Sequence, residues 1–359
     1  MLRAELERFD PTVPIERALT PPASWYTDPR IFELERRAVF HRTWQPVGRI
    51  DELRSPGDYI SGELVGEPWL VLRDGRDLRA FFNVCRHHAS RLVEGQGNVE
   101  RLECPYHGWC YDLDGRLRKA PRIGGVDGFE RERFGLVPMD VDTWGPLVFV
   151  RVAPGSGPPL GEWMAPVSGR VDHARLRFVR RVNYEIACNW KVFVDNYLDG
   201  GYHVGHLHRG LAGQLDLDSY RTEITDRVSL QTCRAAASEA TTGVDFNDRI
   251  GAGAVYAFIY PNLMINRYGP IMDTNWVLPL SHERTLTIFD YFFEEGSDAE
   301  FIERSLTASD RVQQEDVGIC ESVQRGLQSS AFDRGPYAPR VEQGAYHFHG
   351  LLARDLTST

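Results

Sequence analysis

Two cysteines and two histidines, arranged in two matching halves, are the feature that most constrains how this chain can fold. Cys85 and His87 form the first half, and Cys104 and His107 form the second half after a gap of sixteen residues. Donors from two loops can share one metal centre only if the loops meet, so the chain between them has to return on itself. The pattern therefore predicts a compact unit built around two metal-binding loops.

This donor set fits two kinds of metal centre. A structural zinc ion takes Cys2His2, and a 2Fe-2S cluster of the Rieske type takes two cysteines on one iron and two histidines on the other. Zinc sites more often pair like ligands within each half, whereas both halves are mixed here. We therefore predict a Rieske cluster, with zinc as the alternative, on these ligands: Cys85, His87, Cys104 and His107.

A second group of histidines indicates another metal site about 100 residues further along the chain. His203 and His208 would lie ~1.4 turns apart on a helix, close enough to share one ion if the helix bends or ends there. Two histidines and one carboxylate form the facial triad of non-haem Fe(II) oxygenases. The predicted third ligand is Asp316, with Glu315 and Glu321 next. The histidine pair alone is a weak indication, because such residues are commonly polar core or capping residues.

The hydrophobic pattern predicts an α+β protein with three segments. Residues 1–44 form an N-terminal helical segment, with a helix over Pro29–Trp44 that packs on the catalytic domain. Residues 45–153 contain short β-rich runs separated by Gly and Asp turns, which predicts an all-β domain. After a Pro- and Gly-rich linker, residues 154–359 combine strands with a long helix over Asp298–Leu327.

Charge and hydropathy limit the possible partners. The net charge of -10 argues against nucleic acid and anionic membranes, and no apolar run approaches the ~18 residues of a membrane helix. The charged N-terminus has no signal-peptide pattern, so we expect a cytoplasmic protein. Between Arg79 and Arg122, eight basic residues outnumber five acidic ones. This excess favours docking of an acidic redox partner, although a solvated arginine-rich surface is an equal alternative.

Together with residues 189–208, 256–270, 272–275 and 316–327, these motifs resemble the large subunit of the Rieske non-haem iron oxygenases, most closely the choline monooxygenase group. The resemblance covers almost the whole chain. It implies an all-β Rieske domain inserted into a helix-grip catalytic domain, which consists of an antiparallel sheet and a long C-terminal helix. It also implies a homotrimer in which the cluster of one subunit serves the iron of the next. O2 would be the cosubstrate, with electrons from NAD(P)H through a separate reductase or ferredoxin.

The resemblance further implies a carboxylate that links the two metal centres. Many relatives carry it three residues before the first iron-binding histidine, at the position of Gly200. The choline-type pattern places it four residues before, so we assign the catalytic link to Asp199 and keep Asp195 as the alternative.

The implied reaction is hydroxylation of choline to betaine aldehyde hydrate, a step of betaine biosynthesis. Tyr256, Phe258 and Tyr260 alternate on a predicted strand and would share one face, while Tyr197 and Tyr202 flank the iron-binding histidines. Aromatic faces attract methylammonium groups, although such rings are commonly ordinary core residues. The alternatives are N-demethylation or hydroxylation of another ammonium or aromatic compound, and a Rieske electron carrier without a second iron.

Overall fold

The computed structural model describes residues 2–208, 212–236 and 247–358. The chain divides into a smaller unit, Phe40–Glu162, and a larger unit that joins the segments before and after it. The smaller unit is thus inserted in sequence into the larger one, and both contain antiparallel sheets, which confirms the predicted α+β fold class. In the described part of the chain, no helix combines the length and the apolar character needed to cross a membrane.

The N-terminal part of the larger unit is helical. Its elements are α1 (Leu2–Leu6), α2 (Ser24–Thr27), α3 (Pro29–Glu35) and a π-helical turn at Arg36–Phe40. Asp28 caps α3 by accepting a hydrogen bond from the backbone amide of Arg30. The predicted C-terminal end of this helix, Trp44, is wrong, because the helical backbone stops at Phe40. Trp44 is buried in the smaller unit instead. Its apolar side chain fits the helical spacing of the sequence, which is why the predicted helix was too long.

The smaller unit is built from two antiparallel sheets. The seven-stranded sheet has the order β1-β10-β9-β4-β3-β2-β5, and the three-stranded sheet has the order β6-β7-β8. The strands are β1 (Gln45–Arg49), β2 (Asp58–Leu64), β3 (Glu67–Asp74), β4 (Asp77–Phe82), β5 (Gln96–Asn98), β6 (Leu102–Glu103), β7 (Cys110–Tyr111), β8 (Leu117–Lys119), β9 (Pro138–Trp144) and β10 (Leu147–Arg151). Short helical turns lie at Ile50–Glu52 and Arg131–Phe134, and α4 (Leu160–Met164) follows the last strand.

The sheet of the larger unit is antiparallel and seven-stranded, with the order β11-β17-β16-β15-β14-β13-β12. Its strands are β11 (Leu176–Ile186), β12 (Leu215–Ile224), β13 (Val228–Ala235), β14 (Gly253–Ile259), β15 (Leu263–Tyr268), β16 (Ile271–Ser281) and β17 (Arg284–Glu294). The helices of this part are α5 (Trp190–Tyr197), α6 (Val204–Leu207), α7 (Asn247–Ile250), α8 (Ala299–Leu327) and α9 (Gln343–Thr357).

The long helix α8 lies against this sheet. Asp298 caps its start by accepting a hydrogen bond from the backbone amide of Phe301 at 3.0 Å. The hydroxyls of Tyr291 on β17 and Ser309 on α8 are 2.8 Å apart in a buried contact. This contact holds α8 against the sheet. Residue 316 lies further along the same helix, over the interior of the unit.

Candidate metal centres and substrate pocket

Both predicted cluster loops are tight turns in the smaller unit. The backbone amide of Ala89 donates to the carbonyl of Cys85, and that of Gly108 donates to the carbonyl of Cys104, both at 3.0 Å. Ala89 (φ 61°) and Gly108 (φ 69°) adopt the left-handed conformation that closes such turns. The two halves of the sequence pattern therefore fold into two similar turns, each with a cysteine at its start.

The four predicted ligands come together at the ends of these turns. The rings of His87 and His107 lie 4.7 Å apart, and His87 stacks on Trp109 at 4.8 Å. Both cysteines, Cys85 and Cys104, are buried and form no disulfide. The Nδ1 atom of His87 is buried and has no hydrogen-bond partner in the described part of the chain, which is the condition of a nitrogen that ligates a metal. This donor set fits a 2Fe-2S cluster.

Tyr111, which the sequence did not single out, contacts the first of these cysteines. Its hydroxyl lies 3.4 Å from the Sγ atom of Cys85 and accepts a hydrogen bond from the backbone amide of Arg86 at 3.0 Å. Burial raises the pKa of Tyr111, so the phenol keeps its proton. With one lone pair of the oxygen occupied, the proton is free to point at the ligand sulfur. Hydrogen bonds to ligand sulfurs tune the potential of such clusters.

The predicted iron ligands converge in the larger unit. His203, His208 and Asp316 offer ligand atoms that all lie within 4.8 Å of one another. The Nε2 atoms of the two histidines are 3.9 Å and 3.1 Å from Oδ1 of Asp316. The two histidines do not share one helix, since α6 covers only the four residues between them. The short helix brings both rings to one side, and the set fits a facial triad.

A carboxylate contacts the Nδ1 atom of each histidine that is predicted to bind iron. Asp199 is 2.6 Å from Nδ1 of His203, and Glu315 is 2.7 Å from Nδ1 of His208. Burial alone would lower the pKa of His208, but Asp316 and Glu315 outweigh it and raise that pKa. Both histidines are thereby oriented with Nε2 towards the shared point, as expected for metal-binding imidazoles. Glu315, an alternative ligand in the sequence analysis, supports a histidine here.

Asp199 also organises the turn between α5 and α6. Its carboxylate accepts hydrogen bonds from the backbone amides of Gly201, Tyr202 and His203 at 2.9, 3.1 and 2.9 Å. Gly200 has a φ of +69°, and a Cβ atom there would lie 2.2 Å from the carbonyl oxygen of Val341. Position 200 therefore has no room for a side chain, so a carboxylate cannot be placed there.

A side chain from α5 completes the surroundings of the iron site. The amide nitrogen of Asn196 donates to Oδ1 of Asp316 at 2.8 Å. The sequence analysis did not select Asn196. Its position one helical turn before Asp199 could have indicated that it lies near the same site. Asp195, the alternative link, instead lies 2.9 Å from Nε2 of His349 and accepts a hydrogen bond from Tyr26 at 2.7 Å.

A cavity of about 680 Å³, its mouth included, adjoins the three predicted iron ligands. This cavity is the candidate substrate pocket. Its aromatic and amide lining residues are Phe193, Tyr197, Tyr220 and Tyr256, and Asn196, Gln231, Asn266, Asn275 and Gln313. No lysine or arginine is among the described lining residues.

The structure separates the five aromatic residues that were predicted to contact substrate. Tyr197 and Tyr256 line the pocket, whereas Tyr202 is 66% exposed. Phe258 packs on Phe348 of α9 at 5.6 Å, and Tyr260 donates to Asp355 at 2.9 Å. Tyr202 therefore does not line the pocket because it faces solvent. Phe258 and Tyr260 do not line it because α9 covers the continuation of the strand face on which Tyr256 lies.

The pocket wall carries a polar row that the sequence analysis missed. Strand register places these residues side by side across five strands: Gln231, Tyr256, Asn266, Asp273 and Tyr291. Two hydrogen bonds join the pocket tyrosines to this wall, from Tyr197 to Asn266 at 2.7 Å and from Tyr220 to Gln231 at 3.1 Å. Buried polar groups in a sheet interior are costly unless they are paired, and a row of them beside a cavity is typical of a binding surface.

Comparison with known proteins agrees with this architecture. Residues 43–130 match the Rieske [2Fe-2S] domain, and residues 173–358 match the catalytic domain of the ring hydroxylating alpha subunit. The second match covers more than half of the chain. The Rieske domain carries a 2Fe-2S cluster and the catalytic domain a mononuclear iron, and the family uses O2 with electrons from a separate redox partner.

The similar proteins include enzymes with curated activities. The chain is 46% identical to choline monooxygenase of Arabidopsis thaliana, over 97% of this chain and 85% of that one. It is 33% identical to the carnitine monooxygenase oxygenase subunit of Escherichia coli K12, over 94% of both. A solved quaternary ammonium Rieske monooxygenase in complex with L-carnitine superposes with a TM-score of 0.81 at 28% identity, over 95% and 96% of the two chains. The chain therefore belongs to the Rieske non-haem iron oxygenases and is a monooxygenase of that family.

Proposed function

We propose that this monooxygenase hydroxylates a small quaternary or tertiary ammonium compound, with choline as the first candidate and betaine aldehyde hydrate as its product. The observation that carries the proposal is the position of Tyr197, Tyr220 and Tyr256 around a pocket that adjoins the predicted iron ligands. Aromatic faces attract a methylammonium cation by roughly 0.5–2 kcal/mol per contact. The curated names of the similar enzymes, which act on choline and carnitine, support the same class of substrate.

The polar wall suits an alcohol. Burial raises the pKa of Tyr197, Tyr220 and Tyr256, so these phenols stay neutral and act as hydrogen-bonding groups. Their partners, such as Asn266, are neutral amides that can donate to or accept from a hydroxyl. The described lining residues offer no cation for a carboxylate, which favours choline over carnitine. N-demethylation of another ammonium compound is the second candidate, because a cationic head held by the same aromatic rings could place an N-methyl carbon, instead of the hydroxymethyl carbon, near the iron.

Within this proposal each metal-binding residue has a stated role. Cys85, His87, Cys104 and His107 hold the cluster, and His203, His208 and Asp316 hold the iron. When bound, the cluster supplies single electrons and the iron site activates O2. Asp199 orients His203 and links it to a cluster histidine of a neighbouring subunit in a homotrimer, which receives electrons from a reductase or ferredoxin.

Substrate-coupled O2 uptake with a matching reductase tests the function. We expect choline to be turned over far better than its uncharged isostere, 3,3-dimethylbutanol, and better than L-carnitine. Tyr256→Leu should reduce the preference for choline, because it removes an aromatic wall of the pocket. Phe258→Leu is the matched control, since Phe258 lies on the same strand but packs against α9. Equal use of choline and the isostere, or uptake coupled only to an aromatic acid, would exclude an ammonium substrate.

A further inference from the structure

A buried carboxylate lies directly behind the wall of the substrate pocket. Asp273 on β16 is only 3% exposed. The side-chain amides of Asn266 and Asn275, both pocket-lining residues, donate to its Oδ1 atom at 2.7 and 2.8 Å. The Tyr268 hydroxyl donates to its Oδ2 atom at 2.8 Å. A buried acid with three donors in a sheet interior is a costly arrangement that a purely structural core does not need.

The hydrogen bonds around Asp273 match its ionised form. Amide nitrogens can only donate, so Asn266 and Asn275 need an acceptor at this position. Burial outweighs the three donors and the Arg249 guanidinium and raises the pKa of Asp273. A protonated carboxyl could donate only to the Tyr268 oxygen, to which the Arg249 guanidinium already donates. The two amides on Oδ1 therefore favour the charged form, against the effect of burial.

This charge is coupled to the pocket and is not neutralised by a direct salt bridge. Asn266 links Asp273 to the hydroxyl of Tyr197. The nearest cation of the network, Arg249, lies 5.1 Å over the Tyr268 ring and donates to the Tyr268 hydroxyl at 3.3 Å. Among the described residues, no ion pair within 4.0 Å joins Arg249 to Asp273. The carboxylate thus contacts the pocket wall directly, and the guanidinium reaches it only through a phenol.

We propose that Asp273 determines the charge specificity of the pocket, selecting substrates with a quaternary or tertiary ammonium group. This inference rests on the proposed function and deepens it. A quaternary ammonium group has no N–H to donate, so it cannot be recognised by hydrogen bonds. It responds instead to aromatic faces and to negative potential. Asp273 supplies the potential from behind Asn266 and Asn275, where the substrate cannot form a tight ion pair that would slow its release.

Asp273→Asn tests the charge with little change of shape. The new Oδ1 atom can accept from both neighbouring amides, and the new Nδ2 atom can donate to the Tyr268 oxygen. Binding of choline and of 3,3-dimethylbutanol to the metal-loaded enzyme is measured by calorimetry, with turnover measured alongside. We expect the affinity for choline to fall on the order of tenfold, as for loss of a nearby unit charge, and that for the isostere to stay the same. Asp310→Asn removes an acid that accepts from Tyr184, outside the pocket, and should change neither affinity.

The outcomes separate this inference from the function. Should the wild type ignore choline and other methylammonium compounds, the proposed function fails. Should the wild type prefer choline while Asp273→Asn retains the same preference, Asp273 has no part in charge selection and the function stands. Circular dichroism and the cluster absorption verify that the variant is folded. If the variant is not folded, Asp273→Ser, which leaves room for a water molecule, replaces it. An unchanged ratio of the affinities for choline and 3,3-dimethylbutanol in that variant overturns the inference equally.

Discussion

The buried ion pair between Glu35 of α3 and Lys191 of α5 is expected to stabilise the helix that leads into the iron site. Both side chains are fully buried, and the Nζ atom of Lys191 lies 2.6 Å from Oε1 of Glu35. Oε2 of Glu35 accepts a second hydrogen bond from Trp190 at 2.8 Å. In Glu35→Gln the amide oxygen can accept from Trp190 or from Lys191 but not from both in this geometry, so the substitution removes the charge and one of the two hydrogen bonds.

The expected loss follows from the burial of the remaining charge. Removal of one partner of a buried pair costs about 3–5 kcal/mol, because the other charge is left without compensation. This is a large part of the ~5–15 kcal/mol by which a typical domain is stable. Glu33→Gln is the matched control, since Glu33 pairs with Arg36 and Arg37 while 45% exposed. An exposed pair of this kind should cost at most ~1 kcal/mol.

The pH dependence has a definite sign. Burial lowers the pKa of Lys191 in the folded protein, and Glu35 opposes this. Without Glu35 that pKa falls further, so the folded variant binds fewer protons than the unfolded chain between the two pKa values. Stability therefore rises with pH over that interval. The part of the free energy of unfolding that comes from keeping Lys191 uncharged is fully present above the pKa of lysine in the unfolded chain, ~10.4. It is lost as the pH falls through the pKa of Lys191 in the folded protein.

Urea unfolding followed by far-UV circular dichroism measures both effects. We expect Glu35→Gln to lose more stability at pH 7 than at pH 10, and the double variant Glu35→Leu/Lys191→Met to recover most of the loss, since a buried pair can be replaced by apolar residues. A loss below about 1 kcal/mol at pH 7, or a loss that grows with pH, would refute the reasoning.

Four further expectations concern the metal sites. Asp316→Ala should lose the mononuclear iron and turnover while the cluster absorption remains, and full activity would place the third ligand elsewhere. Asp199→Asn should keep both metals but stop electron transfer between them, which wild-type single-turnover rates would contradict. Tyr111→Phe should lower the cluster midpoint potential by removing a hydrogen bond to the sulfur of Cys85, and an unchanged potential in redox titration would disprove that contact. Lys119→Glu should slow electron delivery and weaken its salt dependence, because Lys119 is exposed and pairs with no carboxylate in the described part of the chain; equal rates across ionic strengths would count against docking there.

The spacing of donors in the sequence was enough to predict the four cluster ligands, whereas the histidine pair by itself was only a weak indication of the iron site. Cys85 and His87 lie in one tight turn, as do Cys104 and His107, so local backbone geometry decides their positions. Donor chemistry then decides which metals fit. Asp316 is more than 100 residues from His208, and it was chosen as the best candidate carboxylate on the predicted C-terminal helix. The structure brings these atoms together.

The substrate pocket, in contrast, was decided by the tertiary structure. Alternation along β14 correctly placed Tyr256 and Phe258 on one face, but only the packing of α9 decided that the pocket ends between them. Asn266 and Asp273 became neighbours through the register of separate strands. Side-chain alternation is a local property with a period of two, whereas register and helix packing depend on contacts between distant segments. The sequence by itself therefore determined which donor sets are available to metals, and the tertiary structure decided which side chains face the pocket.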